Sequence, residues 1–158
     1  PKKGRSHIWR IIRSVLTHKS NGKKTDINVA FDYLANICHR KSMCFLLSDF
    51  HTTGFEKSLR QVSKRHELIC VGVSDLRESI IASCGVVDFV DAETGERFVL
   101  DTNSSRVKTF FEENRTLSIK KLIKLLRSYK IDYFEVSTNE SVISPLIRYM
   151  RQRERQLQ

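Results

Sequence analysis

Two short, unbroken apolar runs constrain the fold of this chain more than any other feature. Met43–Leu47 and Leu68–Val73 have the length of strands, lack polar alternation, and are each followed by Ser-Asp. A strand that is covered on both faces has this composition. Because a helical pattern with Phe55, Leu59 and Val62 separates the two runs, they predict parallel strands joined by a right-handed crossover.

Further patterns extend this alternation along the chain. Apolar residues recur at helical spacing in several segments, and one more apolar run has the length of a strand. Five helices are predicted: one capped by Ser6, one over Ile27–Cys38, one after Gly54, one from Ser104 to Tyr129 with a break or phase shift near Thr116–Ser118, and one capped by Ser144 with Pro145 at its first position. The added strand is Ile131–Val136. Helices that alternate with strands predict an α/β fold of three layers, α/β/α, with a mostly parallel sheet.

An acidic hairpin is predicted as an insertion in this pattern. Val86–Val90 and Arg97–Leu100 flank Ala92-Glu93-Thr94-Gly95, in which Gly95 suits a turn position with positive φ. The acids that gather here are Asp88, Asp91, Glu93, Glu96 and Asp101. This is too much charge to bury without partners. We therefore expect an antiparallel surface hairpin outside the central sheet, preceded by a loop over residues 76–85.

Length and composition fit a single domain. The chain has 158 residues, of which 40% are hydrophobic and 29% charged, as in globular proteins. No apolar run reaches the roughly 20 residues that a membrane-spanning helix needs, and no signal-peptide pattern opens the chain. Because the chain starts abruptly without Met, we expect residues 1–158 to be a single partial domain of a longer protein.

The cysteines indicate the cellular compartment, and the position of one histidine predicts its exposure. Cys38, Cys44, Cys70 and Cys84 lack the short paired spacings of a zinc site. Three of them lie in apolar patterns, where a free cysteine behaves as a small buried hydrophobe. Reduced thiols favour a cytoplasmic location, whether or not the parent protein is attached to a membrane through other residues. His66 lies at a predicted helix end, where we expect it to cap the helix or be solvated.

Positive charge is concentrated at the two ends of the chain. The net charge is +10, and residues 1–24 hold eight Lys or Arg and no acid. The last helix adds four arginines against one glutamate: Arg148, Arg151, Arg153, Arg155 and Glu154. Such ends can bind nucleic acid or anionic lipid. Since no aromatic interleaving or nucleic-acid motif accompanies them, solvated basic ends are the favoured interpretation and no specific nucleic-acid partner is predicted.

Oxygen-bearing side chains are predicted at one edge of the sheet. Thr25 and Asp26 precede a helix, Asp49 and Asp75 follow the two apolar strands, and His51 is a minor site candidate beside Asp49. Ligands of open α/β sheets bind outside the carboxyl ends of the strands. Mg²⁺ is usually held by one or two carboxylates, waters and a partner's oxygens. The same residue types are ordinary caps and turn residues, which is the favoured interpretation for Asp26 and Asp75.

The order of several motifs resembles one bacterial family. The motifs are Gly4-Arg5-Ser6-His7, Gly22-Lys23-Lys24-Thr25-Asp26-Ile27, Phe45-Leu46-Leu47-Ser48-Asp49-Phe50, Asp91-Ala92-Glu93-Thr94-Gly95-Glu96-Arg97 and Ser137-Thr138-Asn139-Glu140. Together they resemble the carboxy-terminal half of the bacterial DUF58 proteins, which are von Willebrand factor A-like and often encoded beside MoxR-type AAA ATPases. The resemblance covers nearly the whole chain, and its most specific part is the acidic hairpin.

This resemblance implies a partial von Willebrand factor A fold, with a Rossmann-like sheet and a metal-ion-dependent adhesion site. In such a site, a Mg²⁺-like ion lies above the sheet and a partner's carboxylate completes its coordination. By position, Thr25 corresponds to the threonine of the site and Asp49 to its later aspartate. The Asp-x-Ser-x-Ser signature strand of the family has no counterpart in this chain. We therefore expect the segment to bind Mg²⁺ weakly or not at all.

The function that the resemblance implies is a non-enzymatic protein-interaction module that acts with a MoxR-type AAA ATPase in chaperone-like assembly or maturation. The sequence shows no Gly-rich phosphate loop, nucleophile elbow or supported Cys/His or Ser/His pair. Two alternatives stay open. Asp49 and Asp75 could hold catalytic Mg²⁺ in a nuclease or phosphatase, and the basic ends could bind nucleic acid.

The missing signature strand also has a structural consequence. Met43–Leu47 is expected to form an unprotected apolar edge of the sheet, with Ile8, Ile12, Phe31 and Leu34 partly uncovered. Because apolar edges and patches pair with other chains, we expect the segment to self-associate. At the carboxyl edge of the same sheet, we expect Thr25 Oγ and the carboxylate of Asp49 to lie near each other.

Overall fold

A computed structural model of the chain describes residues 3–19, 25–75, 81–90 and 95–156. The elements within these ranges, in chain order, are α1 (Arg5–Thr17), α2 (Ile27–Ile37), β1 (Met43–Ser48), α3 (Glu56–Arg65), β2 (Glu67–Ser74), β3 (Val86–Val90), β4 (Arg97–Asp101), α4 (Ser105–Ser128), β5 (Asp132–Ser137) and α5 (Ile143–Gln156). None of the helices in these ranges is both long enough and apolar enough to cross a membrane.

The strands form two separate sheets. One is parallel with the order β1-β2-β5, and in its register Leu46 pairs with Cys70, which pairs with Tyr133. The other is the antiparallel pair β3-β4. The predicted α/β class, the mostly parallel sheet and the separate hairpin are therefore confirmed. The acids Asp91 and Glu93 and the first half of the predicted loop, residues 76–80, lie outside the described residues; residues 81–85 form no helix or strand.

The hydrophobic core lies on one face of the parallel sheet. Helices α2, α3 and α4 pack there against the β2 side chains Leu68 and Cys70. The buried members of the core are Ile27, Phe31, Phe55, Leu59, Val62, Leu68, Cys70, Leu126 and Ile131. Full burial of one such aliphatic or aromatic side chain stabilises a fold by about 1.5–3 kcal/mol. This cluster is therefore the main source of stability in the described part of the chain.

Helix α5 packs on the opposite face of the sheet. The ring of Tyr149 stacks on Phe134 of β5 with centroids 5.1 Å apart, and its hydroxyl donates to Asp132 Oδ2 at 2.8 Å. Arg153 forms ion pairs with Asp132 and with Glu67 of β2. The helices α2–α4, the sheet and α5 thus make the three predicted layers.

Strand β1 lies at the edge of the sheet, as expected, but the prediction that it is covered on both faces is wrong. Cys44 and Leu46 pack on the core, whereas Met43, Phe45 and Leu47 are 48%, 38% and 65% exposed. The apolar residues of β1 form a strand, but their hydrophobicity does not show how many faces are covered. No layer of the described chain covers this face of β1. We call the surface formed by Met43, Phe45 and Leu47 the open face of β1.

Helix α1 buries none of its residues. Ile8 and Ile12 are exposed, and Leu34 is partly buried at the margin of the core, as expected for these three. Phe31 was expected to be partly uncovered, but it is fully inside the core because it lies against α3. The first two helices therefore differ: α2 belongs to the folded body, and α1 has an apolar face with no partner among the residues that the structure describes.

Three predicted helix boundaries are wrong. Helix α4 is continuous through Thr116–Ser118, since packing of Leu126 and its neighbours outweighs the modest helix propensity of threonine and serine. Helix α5 begins at Ile143, so that Pro145 lies in the first turn, where backbone N–H groups have no intrahelical acceptor. The N-cap of α1 is Gly4, and Ser6 is already helical.

His66 also differs from its prediction. It follows α3 as the C-cap residue and its backbone N–H donates to Val62 O, as a helix-end residue should. Its side chain, however, is 4% exposed, and neither ring nitrogen has a hydrogen-bond partner among the described residues. The short connection from α3 directly into β2 draws the imidazole inward and away from solvent.

Candidate functional site

The carboxyl ends of the three parallel strands carry hydroxyl and carboxylate groups. Ser48, Ser74 and Ser137 are the last residues of β1, β2 and β5, and Asp49 and Asp75 follow the first two strands. Parallel pairing places all three ends at one edge of the sheet. This is the edge at which open α/β sheets bind their ligands.

The turn after β1 is held in a strained conformation. Ser48 Oγ accepts from the Phe50 N–H at 3.0 Å, and Asp49 Oδ1 accepts from the His51 N–H at 3.2 Å. Phe50 has a φ of 57°, a left-handed conformation that costs a bulky residue about 1–3 kcal/mol. Nearby, Thr52 Oγ1 is buried without a hydrogen-bond partner in the described ranges. Strain and unsatisfied polar atoms of this kind cluster at functional sites.

Aromatic packing holds this turn in place. The Phe50 ring lies 6.2 Å from that of Phe55 and 6.3 Å from that of Tyr133. Tyr133 pairs with Cys70 in the strand register, and its phenol lies over Gly72 of β2, where a Cβ would overlap it. Burial, then the negative charge of Glu135 and the thiol of Cys70, raise the pKa of Tyr133 to about 12. The phenol therefore stays protonated at neutral pH and can donate a hydrogen bond.

A cleft of about 380 Å³ opens between this turn, the strand ends and α4. Asp49 and His51 line one side, and Arg115 of α4 lies across from them near Glu135. Arg115 Nη2 and Glu135 Oε1 are 3.9 Å apart, and both side chains are partly exposed. This is a loose ion pair, so the guanidinium retains N–H groups that can donate to a ligand. We call this cavity the carboxyl-edge cleft.

The other predicted site residues lie at the N-terminus of α2. Asp26 is a helix cap, as favoured: its Oδ1 accepts from the Asn28 N–H and from Asn28 Nδ2, both at 2.9 Å. Asn28 Nδ2 also donates to Gly54 O at 3.4 Å, which joins this helix end to the loop that follows β1. Thr25 is exposed beside the cap. The proximity of Thr25 Oγ to the Asp49 carboxylate stays a prediction.

The donor set does not make a complete magnesium site. The described residues contain no group of three or more His, Cys, Asp or Glu that could hold a metal ion. Thr25 and Asp49 together supply two side-chain donors, and Asp49 Oδ1 already accepts hydrogen bonds within its own turn. Mg²⁺ takes six oxygen ligands in octahedral geometry and usually keeps several waters. Thr25 and Asp49 would therefore supply two of the six ligands, and waters or a partner's oxygens would supply the rest.

Sequence reasoning missed the cation of the cleft. Arg115 and Glu135 come from different elements, and no local pattern connects them. The usable signal was Gly72, because a glycine inside a buried strand marks a close approach by another group. That group is Tyr133, and both Gly72 and Tyr133 line the carboxyl-edge cleft.

The cysteines form no metal cluster and no disulfide among the described residues. All four are free: Cys70 is buried, Cys38 and Cys44 are half-buried, and Cys84 is exposed. Burial raises the pKa of the Cys70 thiol to about 12, which keeps it protonated and unreactive.

Comparison with known proteins assigns the chain to a family. Residues 1–120 match the family described as "Protein of unknown function DUF58", so the chain belongs to the DUF58 family, as predicted. An uncharacterized protein of Mycobacterium avium, MAV169, is 24% identical over 159 residues, which cover 98% of this chain and 92% of that protein.

Two further relatives are longer. The uncharacterized proteins Mb1516 of Mycobacterium bovis and Rv1480 of Mycobacterium tuberculosis are each 24% identical over 157 residues, which cover 96% of this chain. The chain spans about half of their length, since the matched region is 49% of each. No solved structure matches the chain significantly.

Proposed function

We propose that this chain is a non-enzymatic protein-interaction module, part of a von Willebrand factor A-like domain of the metal-ion-dependent adhesion type. It acts with a MoxR-type AAA ATPase in chaperone-like assembly or maturation. The observation that carries the proposal is the open face of β1, where Met43, Phe45 and Leu47 are exposed at a sheet edge. Contiguous exposed apolar patches mark interaction sites, and an edge strand offers unpaired backbone groups.

A second apolar surface supports the proposal. Helix α1 exposes Ile8, Ile12 and Val15 on one side and Arg10 and Arg13 on the other. An amphipathic helix normally buries its apolar stripe against another element. Two unpartnered apolar surfaces in one chain favour contact with a further polypeptide. In the isolated segment, a second copy can cover them, so we also propose self-association.

The carboxyl-edge cleft lies at the end of β1 and is the second part of the proposed interface. In the proposal, Thr25 and Asp49 are the residues of this segment that contribute to the metal site, and the segment binds Mg²⁺ weakly or not at all. The free cysteines support a cytoplasmic setting.

The test is co-purification of the full-length protein with a MoxR-type AAA ATPase from the same organism. Leu47→Lys places a charge on the open face of β1 and is expected to abolish recovery of the ATPase. Val99→Lys is the matched control, since Val99 is equally exposed, at 66% against 65%, but lies on the hairpin. Recovery of the ATPase with both variants contradicts the proposal.

Self-association has a separate test. Light scattering of the 158-residue chain at low micromolar concentration is expected to show a species larger than the monomer, reduced by Leu47→Lys. A clean monomer that melts cooperatively and binds no apolar dye would mean that both apolar surfaces are covered within one chain.

The enzyme alternative predicts a different result. A Mg²⁺-dependent nuclease or phosphatase would release nucleotide or phosphate when Mg²⁺ or Mn²⁺ is added, and Asp49→Asn would abolish this release. Under our proposal, the full-length protein shows no metal-dependent release that responds to Asp49→Asn.

A further inference from the structure

Helix α5 has two sides with different roles. On the side that faces the sheet, Tyr149 and Arg153 bond to Asp132, and Arg153 also pairs with Glu67. The Arg153 side chain is 15% exposed. One of the four arginines of this helix is therefore used to fasten α5 to the sheet, and its charge is neutralised there.

The other three arginines lie together on the outer side of the helix. Arg148, Arg151 and Arg155 follow the spacing i, i+3 and i+7, which at 3.6 residues per turn places them in one narrow stripe about 10 Å long. All three are exposed and make no ion pair or side-chain hydrogen bond within the described ranges. The nearby acids Glu140 and Glu154 form no ion pair with them in the same ranges. We call this stripe the arginine face.

A shallow surface groove, open to solvent, runs between the side chains of the arginine face. Its lining belongs to α5 alone: Ser144, Ile147, Arg148, Arg151, Gln152 and Arg155. Ile147 is exposed within it, and Ile143 is exposed one turn earlier. The groove therefore combines three unpaired guanidinium groups with apolar side chains and small polar groups.

The composition of the groove favours a protein partner over phosphate. The cations are all arginine, which is enriched at protein interfaces but also binds phosphate, so the side chains beside the arginines decide between the two partners. No aromatic side chain lines the groove, although single-stranded nucleic acid is usually bound by base stacking on aromatic rings. Guanidinium groups pair with carboxylates in a bidentate manner, and the exposed isoleucines provide an apolar contact beside them.

We propose that the arginine face of α5 is a docking surface for an acidic, amphipathic segment of a partner protein. This inference rests on the proposed function, because it names the chemistry of a partner for an interaction module. Carboxylates of the partner pair with Arg148, Arg151 and Arg155, and its apolar side chains contact Ile147. This surface is separate from the open face of β1.

The test uses two variants of the full chain with equal loss of charge. The first combines Arg148→Gln, Arg151→Gln and Arg155→Gln. The second combines Lys120→Gln, Lys121→Gln and Lys124→Gln on α4, whose side chains are exposed as well. Glutamine has nearly the helix propensity of arginine and lysine, so both helices are expected to fold. Circular dichroism and thermal melting confirm that each variant is folded.

The probe is a labelled synthetic helical peptide with Glu at positions i, i+3 and i+7 and Leu beside them, followed by fluorescence anisotropy at physiological salt. Binding is expected to weaken at least tenfold in the α5 variant and less than threefold in the α4 variant. Equal weakening in both variants would mean that binding follows net charge alone and would overturn the proposal. Absence of binding to the unmodified chain would overturn it too.

Two further probes test whether the arginine face binds the phosphate groups of nucleic acid or of lipid instead of carboxylates. A short single-stranded DNA and vesicles containing anionic phospholipid are measured against the same proteins. If either loses more affinity than the peptide in the α5 variant, the arginine face is a phosphate-binding surface and the proposal is wrong. The ATPase co-purification of the unmodified parent decides the proposed function independently, so the two proposals can fail separately.

Discussion

Both faces of the parallel sheet carry apolar side chains, but the two faces are covered differently. On one face, Cys44 and Leu46 of β1 join Leu68 and Cys70 of β2 beneath three helices. On the other face, α5 packs on β5, and the open face of β1 has no cover within the described residues. The covered face carries the main hydrophobic cluster, and the open face of β1 carries the proposed interaction. Hydrophobicity along a strand therefore does not distinguish a core from an interface.

The largest expected effect is on the covered face. Leu59 is fully buried in the core, and Leu59→Ala is expected to lower the free energy of unfolding by about 2–5 kcal/mol through lost burial and a cavity. Leu47→Ala, on the open face, is the matched control, with an expected change within about 0.5 kcal/mol. Urea unfolding of both variants measures the contrast. Similar losses for the two would show that Leu47 is buried in solution.

A second prediction concerns the wall of the carboxyl-edge cleft. Gly72→Ala introduces a Cβ against the Tyr133 phenol, and overpacking of this kind is expected to cost about 1–3 kcal/mol. Tyr133→Phe removes the hydroxyl that is overlapped most, so the double variant should recover part of the loss. Strictly additive losses in a double-mutant cycle would show that the two side chains do not meet.

The covered face was largely predictable from the sequence. Phe55, Leu59 and Val62 recur at helical spacing, and Leu68–Val73 is apolar throughout, so local pattern and burial agree there. The open face was not predictable in the same way. The run Met43–Leu47 looks like a strand with two covers, because the sequence of a strand carries no information on whether a further layer is present.

The candidate site was predicted only where its chemistry is local. Asp26 and Asp49 could be predicted as a helix cap and a turn residue because the N–H groups that they bind lie two residues further along the chain. The pair Arg115 and Glu135 depends on the packing of α4 against β5, which fixes their distance only after folding. The left-handed backbone of Phe50 has no signal in residue type, since a bulky aromatic normally avoids it.

A third prediction uses the pH dependence of stability. The folded pKa of Tyr133 is about 12, above its ordinary value of 10.0, so the unfolded chain releases the proton first as pH rises. The stability that the protonated phenol contributes is complete below pH 10 and is lost between about pH 10 and 12. Tyr133→Phe should reduce the slope of unfolding free energy against pH in that window. An unchanged slope would mean that the phenol is exposed to solvent.

The smallest expected effect is on the hairpin, which belongs to neither face of the sheet. Glu93→Lys with Glu96→Lys reverses charge on the connection between β3 and β4, and surface substitutions usually change stability by less than about 0.5 kcal/mol. The base of the hairpin is held instead by buried Thr102, whose Oγ1 donates to Gly85 O at 2.7 Å and accepts from the Cys84 N–H at 2.8 Å.

Thr102→Val is the contrasting variant for this prediction. It removes both hydrogen bonds of the buried Thr102 hydroxyl, each of which contributes about 0.5–1.5 kcal/mol. Thermal melts should therefore rank Thr102→Val well below the charge-reversal variant, which should melt close to the unmodified chain. A large loss on charge reversal would show that the acids contact a basic surface of the folded body. The hairpin would then be a third covered surface rather than an independent, solvent-exposed element.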